Sequence, residues 1–296
     1  MKVLVVGAAG QLGQAMTARL RHDQHAVTAW TRADIDLTRH RDVRDAMIAL
    51  APETIVNCSS YNQVDQAEDD QQTALDVNAM AVGTMARAAA AVNALFVHYS
   101  TDFVFAGTAT SPYTERDAPE PRSVYAQSKL VGEWLAADAP RHYVLRVESL
   151  FGGPHRRSSI DRIAEAIRSG RPAAVFTDRV VSPSFVADVV EATLFLMRTG
   201  PESGLYHCVN TGFASWLDVG REIVKQVGAS DAALQPISVK DVALRAPRPQ
   251  FAALSNQKLA DAGFVMPTWQ DAVGRYLSTW PQSSQPGGEN GDLTPR

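Results

Sequence analysis

Short β-branched runs alternate, along the first half of the chain, with segments whose apolar positions recur at helical spacing. "KVLVVGA" reads as a buried strand, "GQAMTARLRH" as a helix and "HAVTAW" as a second strand. "RDVRDAMIALAP" is a helix ended by Pro52, and "TIVNCSS" is a third strand. "QQTALDVNAMAVGTMARAAAAV" predicts one long helix with small residues suited to close packing. "ALFVHYS" gives a fourth strand, "SVYAQSKLVGEWLAAD" a helix and "HYVLRVESLF" a fifth strand. Near-continuous apolar strands separated by helices predict an α/β fold, a Rossmann-type doubly wound parallel sheet covered on both faces.

After residue 150 the rhythm changes. "SSIDRIAEAIRSG", "FVADVVEATLFLMRTG" and "WLDVGREIVKQVG" read as helices, and "GLYHCVN" as a strand. "RAPRP" is a Pro/Arg-rich loop, followed by two short helices in "SNQKLADAG" and "WQDAVGRYL". The expected organisation is a Rossmann-type domain over 1–150 and mainly a smaller cap over 151–280, with some later segments returning to the sheet. Residues 281–296 are polar and rich in Gly and Pro, which predicts a disordered tail.

Composition narrows the function. The 296 residues are 45% apolar and 20% charged, an ordinary globular balance. A net charge of −4 and no basic stripe argue against a nucleic-acid binder. No apolar run reaches membrane-spanning length and no signal-peptide pattern opens the chain, so a cytoplasmic protein without a membrane partner is expected. Cys58 and Cys208 sit in apolar runs and read as buried free thiols. No His/Cys cluster has zinc spacing, so no metal is expected, and His98 and His207 read as core residues.

"GAAGQLG" places Gly7, Gly10 and Gly13 directly after the first strand and at the opening of a helix. Glycines there permit a tight turn and a close backbone approach to a pyrophosphate at the positive helix end. The second strand ends in "AWTRADIDL", with Arg32 where NAD enzymes carry an acid. A guanidinium suits a 2′-phosphate, so NADP(H) is the preferred cofactor and NAD(H) the other candidate, with Asp34 or Asp36 able to approach the adenosine. Hydride transfer to a carbonyl needs a proton donor. Tyr125 and Lys129 lie one turn apart, and an ammonium nearby lowers a phenol pKa. "HYSTDFVF" brings Ser100, Thr101 and Asp102 to a strand's C-terminal end, where ligands bind in open α/β sheets.

Together these stretches resemble the extended short-chain dehydrogenase/reductase superfamily, and within it the dTDP-4-dehydrorhamnose reductase-like family. "IVNCSSYNQVDQAE", "HYSTDFVFAGT", "PYTERDAPEPRSVYAQSKLVGE" and "RAPRPQFAALSNQKLADAGFVMPTW" carry the likeness beside the glycine loop. The resemblance implies reduction of a nucleotide-linked 4-keto-6-deoxy sugar by a monomer or homodimer. It implies Gly10, Gln11 and Leu12 on the pyrophosphate, and Ser59, Ser60, Tyr61 and Tyr99 along the cofactor. It makes Thr101, Tyr125 and Lys129 the catalytic trio, with Thr101 and Asp102 touching the sugar. Relatives also include epimerases, dehydratases and a non-catalytic regulatory subunit of methionine adenosyltransferase, which stand as alternatives.

The chain departs from the family on the substrate side. Phe103 stands where Tyr is usual, Gln66 where Lys is usual, and "RVES" puts Glu148 and Ser149 where "RxSW" is frequent. Glu148 is expected to point away from an anionic diphosphate or to meet Arg146. Ala15 replaces a glutamate that holds magnesium in some dimers, so that metal is not implied. Ser182 and Ser184, Arg245 and Arg248, and Asn78 are further candidates, each also readable as structural.

Overall fold

The computed structural model describes residues 1–281, so the tail predicted to be disordered lies, from residue 282 on, outside the described residues. Chain order is β1 (Lys2–Val6), α1 (Gln11–His22), β2 (Ala26–Trp30), α2 (His40–Leu50), β3 (Thr54–Asn57), α3 (Gln71–Leu75), α4 (Ala81–Ala91), β4 (Leu95–Thr101), α5 (Val124–Ala136) and β5 (His142–Val147). It continues through β6 (Leu150–Phe151), α6 (Ser159–Arg168), β7 (Ala173–Phe176), β8 (Val180–Val181), β9 (Ser184–Phe185) and α7 (Val186–Thr199). β10 (Gly204–His207), β11 (Ala214–Ser215), α8 (Trp216–Val227), β12 (Leu234–Ile237), α9 (Gln257–Asp261) and α10 (Trp269–Ser278) complete it.

Six strands form one parallel sheet in the order β10-β5-β4-β3-β1-β2. The chain runs from β1 out to β2 and then crosses back to β3 on the other side of β1, a reversal that opens a crevice at the strand C-termini. One face is covered by α1 and α7, whose Leu12, Met16, Leu20 and Val189 pack on Val3, Val5, Val56 and Val97. The other face is covered by α2 and α4, with Val43, Met47 and Met85 on Leu4, Ile55 and Phe96. Strand β10 and helix α7, which belong to this sheet and its cover, come from beyond residue 150. A separate apolar cluster joins Phe151, Ile160, Ile163, Trp216, Ile223 and Tyr276. Among the described residues no helix is long and apolar enough to cross a membrane.

The long helix expected around residue 80 is interrupted. α3 and α4 are joined by a π-helical turn over Asp76–Met80. Asn78 sits in that turn, and its amide accepts from the Tyr61 amide at 2.8 Å and donates to the Tyr61 carbonyl at 3.0 Å. It also donates to the Ser128 hydroxyl at 3.0 Å. One buried side chain thereby ties the loop after β3 to α5. A π-turn inside a helix often marks a functional site, and this one places the Tyr61 loop. Helix α5 can come this close because residue 132 is glycine: a Cβ there would collide with the Asn78 carbonyl. Gly132→Ala is therefore expected to cost about 1–3 kcal/mol, the usual penalty for overpacking. A denaturant melt unchanged from the parent would contradict this contact.

Candidate active site

The crevice is a cavity of about 1040 Å³ that runs from the glycine loop to Tyr125 and Lys129. At its first end Gly7 has φ +76, and a Cβ there would lie 2.7 Å from the Ser59 backbone. Gly7 is thus required both by the turn and by the approach of the loop after β3. Gly13 does not line the cavity; a Cβ on it would run into the Gly7 carbonyl, so it lets α1 start tight against the loop. Helix α1 begins at Gln11 with no side-chain cap and no acid in its first turn, leaving its N–H groups for an anion. Gln11 and Leu12 line the cavity, and the Gln11 amide also donates to the Gly152 carbonyl.

At the end of β2, Arg32 is exposed and borders the cavity. Both acids that might have served a free ribose are already engaged. Asp34 accepts from the Thr31 hydroxyl at 2.7 Å and the Thr31 amide at 2.8 Å, which holds its carboxyl below the usual range. Asp36 is held low in the same way by the Thr38 hydroxyl, at 2.8 Å, and the Thr38 amide. Both carboxylates are thus bonded within their own turns, while the Arg32 guanidinium borders the cavity.

At the other end of the cavity, Thr101 closes β4 and Tyr125 and Lys129 project from α5, whose N-terminus is capped by Ser123. The Tyr125 phenol shares this end of the cavity with Thr101 and Ser60. Burial pushes it up to about 12, against the downward pull of the Thr101 bond, while the Asp102 charge adds to the rise. Lys129 is 2% exposed and donates to the Tyr99 carbonyl at 2.6 Å. Burial pulls its ammonium down to about 8, opposed by the Glu133 charge. The expected lowering of the Tyr125 phenol by Lys129 is not what governs it in the protein itself: burial dominates and the net shift is upward. A phenol with this pKa keeps its proton at neutral pH, the form a donor needs. Ser59, Ser60 and Tyr61 line the cavity, and Asn57 holds Ser59 through its side-chain oxygen at 2.5 Å. Tyr99 also borders it, but its hydroxyl is taken up by Thr193 at 2.7 Å.

On the substrate side, Asp102, Phe103 and Ser149 line the cavity. Phe103 packs edge-to-face on Tyr125, with ring centroids 5.6 Å apart. Gln66 does not belong there: it is exposed on a short 3-10 turn, away from the cavity. That stretch has another use. Glu68 accepts from the Val124 amide at 2.9 Å, and Asp65 pairs with Arg248 at 2.8 Å. Arg245 pairs with Asp69, so both arginines of "RAPRP" meet acids of the "QVDQAEDD" stretch. Glu148 does not meet Arg146. Arg146 is bidentate to Glu133 at 2.7 and 2.8 Å inside the core, while Glu148 accepts from the Ser182 amide at 2.7 Å.

The RmlD substrate binding domain family matches residues 1–281. The chain belongs to that family. Among its relatives, the dTDP-4-dehydrorhamnose reductase of Mycolicibacterium smegmatis is 32% identical over 92% of this chain and 84% of the relative. The spore coat polysaccharide biosynthesis protein SpsK of Bacillus subtilis is 29% identical over 93% of this chain and 96% of its own length. The crystal structure of a dTDP-4-dehydrorhamnose reductase from Bacillus anthracis in complex with NADP superposes with a TM-score of 0.87 at 27% identity, covering 94% of this chain and 99% of that one.

Within this RmlD-family chain, some candidates prove structural. His98 and His207 are fully buried, and burial holds both imidazoles low, His98 with Lys129 beside it and His207 down to about 3 with Arg146 beside it. Ser182 and Ser184 are buried away from the cavity and shape the turn that meets Glu148. Cys208 is buried, whereas Cys58 is only partly so and borders the cavity. The residue that sequence reasoning missed is Arg179. It lies just before β8, and its charge acts on both Asp102 and Glu148. It sits in a loop with no motif spacing, and only the fold brings it to β4 and β5.

Proposed function

We propose that this chain is an NADP(H)-dependent reductase of a nucleotide-linked 4-keto-6-deoxy sugar. The observation that carries the reading is one cavity with a glycine-loop cradle at one end and Thr101, Tyr125 and Lys129 at the other. The named activities of the relatives support the same chemistry. The fit for a dinucleotide rests on Gly7 and Gly13, which let the loop turn tightly between β1, the Ser59 backbone and α1, and on the uncapped start of α1. Gly10, Gln11 and Leu12 would hold its pyrophosphate, Arg32 its 2′-phosphate, and Lys129 its nicotinamide-side ribose. When bound in reduced form, that cofactor supplies a hydride.

The chain's own residues do the rest. Thr101 orients the substrate carbonyl, and Tyr125 gives its phenolic proton to the carbonyl oxygen as charge develops there. The Lys129 ammonium stabilises the phenolate left behind. The cluster around Ile160, Trp216 and Tyr276 serves as the core of a cap that closes over the sugar nucleotide. The test is a screen of the purified protein with NADPH and NADH against several nucleotide-linked 4-keto sugars, followed by cofactor absorbance. No cofactor oxidation with any of them would contradict the reading.

Cofactor choice gives a sharper test. NADPH should bind more tightly than NADH, and Arg32→Ala should weaken NADPH by about tenfold, the lower range for a hydrogen bond to a charged group at an exposed site, with NADH unchanged. Equal affinities in the parent protein would show that Arg32 serves only solvent.

The substrate pocket should also differ from that of the dTDP-4-dehydrorhamnose reductases. Phe103 offers no hydroxyl, and Ser149 leaves room in the cavity wall. A site that lacks a hydrogen-bond partner its substrate needs loses orders of magnitude. Turnover of dTDP-4-dehydrorhamnose is therefore expected well below the common median of about 10 per second. Combining Phe103→Tyr with Ser149→Trp should raise it. Efficient turnover by the parent protein would contradict this view of the pocket.

A further inference from the structure

Ser59 and Lys129 both border the cavity, and a chain of hydrogen bonds joins them behind its wall. Asn57 ends β3, and in the parallel register of β3 and β4 its partner is His98. Both are fully buried, and neither lines the cavity. The Asn57 side-chain oxygen accepts from the Ser59 backbone amide at 3.1 Å and from the Ser59 hydroxyl at 2.5 Å. A backbone N–H is a fixed donor, so the Asn57 atom facing it is the oxygen and the other is the NH2 group. That NH2 group lies 3.0 Å from His98 Nδ1 and donates to it. Nδ1 therefore carries no proton, and the single proton of the neutral ring sits on Nε2. Burial, with the Lys129 charge adding to it, holds this imidazole well below its ordinary value and keeps it neutral.

His98 Nε2 is 3.5 Å from Lys129 Nζ. An ammonium has three N–H donors and accepts nothing. One donor of Lys129 goes to the Tyr99 carbonyl at 2.6 Å. With its proton on Nε2, the imidazole has no lone pair to offer there, so the remaining donors stay free for the cavity. The opposite tautomer would turn a lone pair toward the buried ammonium, and a charge-assisted bond would claim one of them. Resting on the reductase reading above, we propose that Asn57 and His98 are positioning residues for Lys129: Asn57 locks the His98 proton onto Nε2, and this keeps the ammonium from turning to His98 and leaves its donors to Tyr125 and the cofactor ribose. His98 is no ligand itself and acts only through Lys129.

Long-range proton–nitrogen NMR of the full chain with labelled histidine reads the tautomer without substrate or cofactor. The His98 signals, assigned by their loss in His98→Phe, should show a protonated Nε2 and a bare Nδ1. In Asn57→Leu, a side chain of similar size with nothing to donate, the proton should move to Nδ1. Asn57→Asp keeps both Ser59 bonds but turns an acceptor toward His98; it should move the proton in the same way, and it replaces the leucine variant if that one does not fold. A parent ring protonated on Nδ1, or on both nitrogens, overturns the proposal, whatever the protein reduces.

Kinetics test the consequence for Lys129. On a sugar nucleotide that the parent reduces, Asn57→Leu should lower kcat by about 10–10²-fold, the range for one lost hydrogen bond to a charged group. Adding His98→Phe removes the acceptor that captured the ammonium, so the double variant should recover to the kcat of His98→Phe alone. A packing role predicts the reverse, with two core substitutions in contact doing worse than either one. A double variant no faster than Asn57→Leu overturns the positioning role. A proton found on Nε2 in a protein that reduces no sugar nucleotide supports the Asn57 lock and counts against the reductase reading instead.

Discussion

Tyr125→Phe is expected to lower turnover by about 10²–10⁴-fold, the usual worth of a positioned general acid, while leaving cofactor affinity nearly unchanged. The substitution removes one oxygen and keeps the ring, including its edge-to-face contact with Phe103 at 5.6 Å. The lost oxygen is the proposed proton donor, at the end of the cavity that Thr101 and Ser60 also line. Nothing else in this variant changes charge or volume appreciably. Cofactor titration and single-turnover kinetics separate the two effects. A variant that keeps most of its activity would remove Tyr125 from the chemistry.

Lys129→Ala should be nearly as severe and should differ in kind. The ammonium is buried, donates to the Tyr99 carbonyl at 2.6 Å and lies 3.5 Å from His98 Nε2. In the proposed reading, its removal takes away the cation that stabilises the Tyr125 phenolate and a donor for the cofactor ribose. Turnover should fall by about 10²–10³-fold, the size seen when one fixed donor to a developing charge is removed, and cofactor affinity should fall with it. The same two measurements check this. If only the melting temperature changed, Lys129 would be a buried structural cation and the Tyr–Lys spacing a helix coincidence.

The parts of the molecule legible in the sequence are those governed by short spacing. Apolar strand runs separated by helices gave the parallel sheet, because burial on both faces leaves no polar alternation to mislead. Gly7, Tyr125 and Lys129 were readable because a turn and one helical repeat fix their neighbours. The strands β7, β8, β9, β11 and β12 were not anticipated; at two to four residues each they carry no periodic signal. The π-turn at Asn78 was hidden because it depends on Tyr61, Ser128 and Gly132, which come from other elements. Gln66 was placed by likeness at the substrate, yet the stretch around it is spent on Arg248, Arg245 and the start of α5. Arg179 had no local signal at all. Its charge reaches Asp102 and Glu148 only because the fold brings the loop before β8 to the ends of β4 and β5.

The central claim is that a hydride passes from a nicotinamide cofactor to a sugar carbonyl in this cavity, with net reduction. The most direct measurement supplies NADPH carrying deuterium at the transferable position, with a nucleotide-linked 4-keto sugar, and weighs the sugar product by mass spectrometry. The account predicts one oxidised cofactor per product and a deuterium carbon-bound at the former carbonyl. Sugar converted without net oxidation of the cofactor, or cofactor oxidised with no label in the sugar, would contradict it, the former outcome being that of an epimerase or dehydratase.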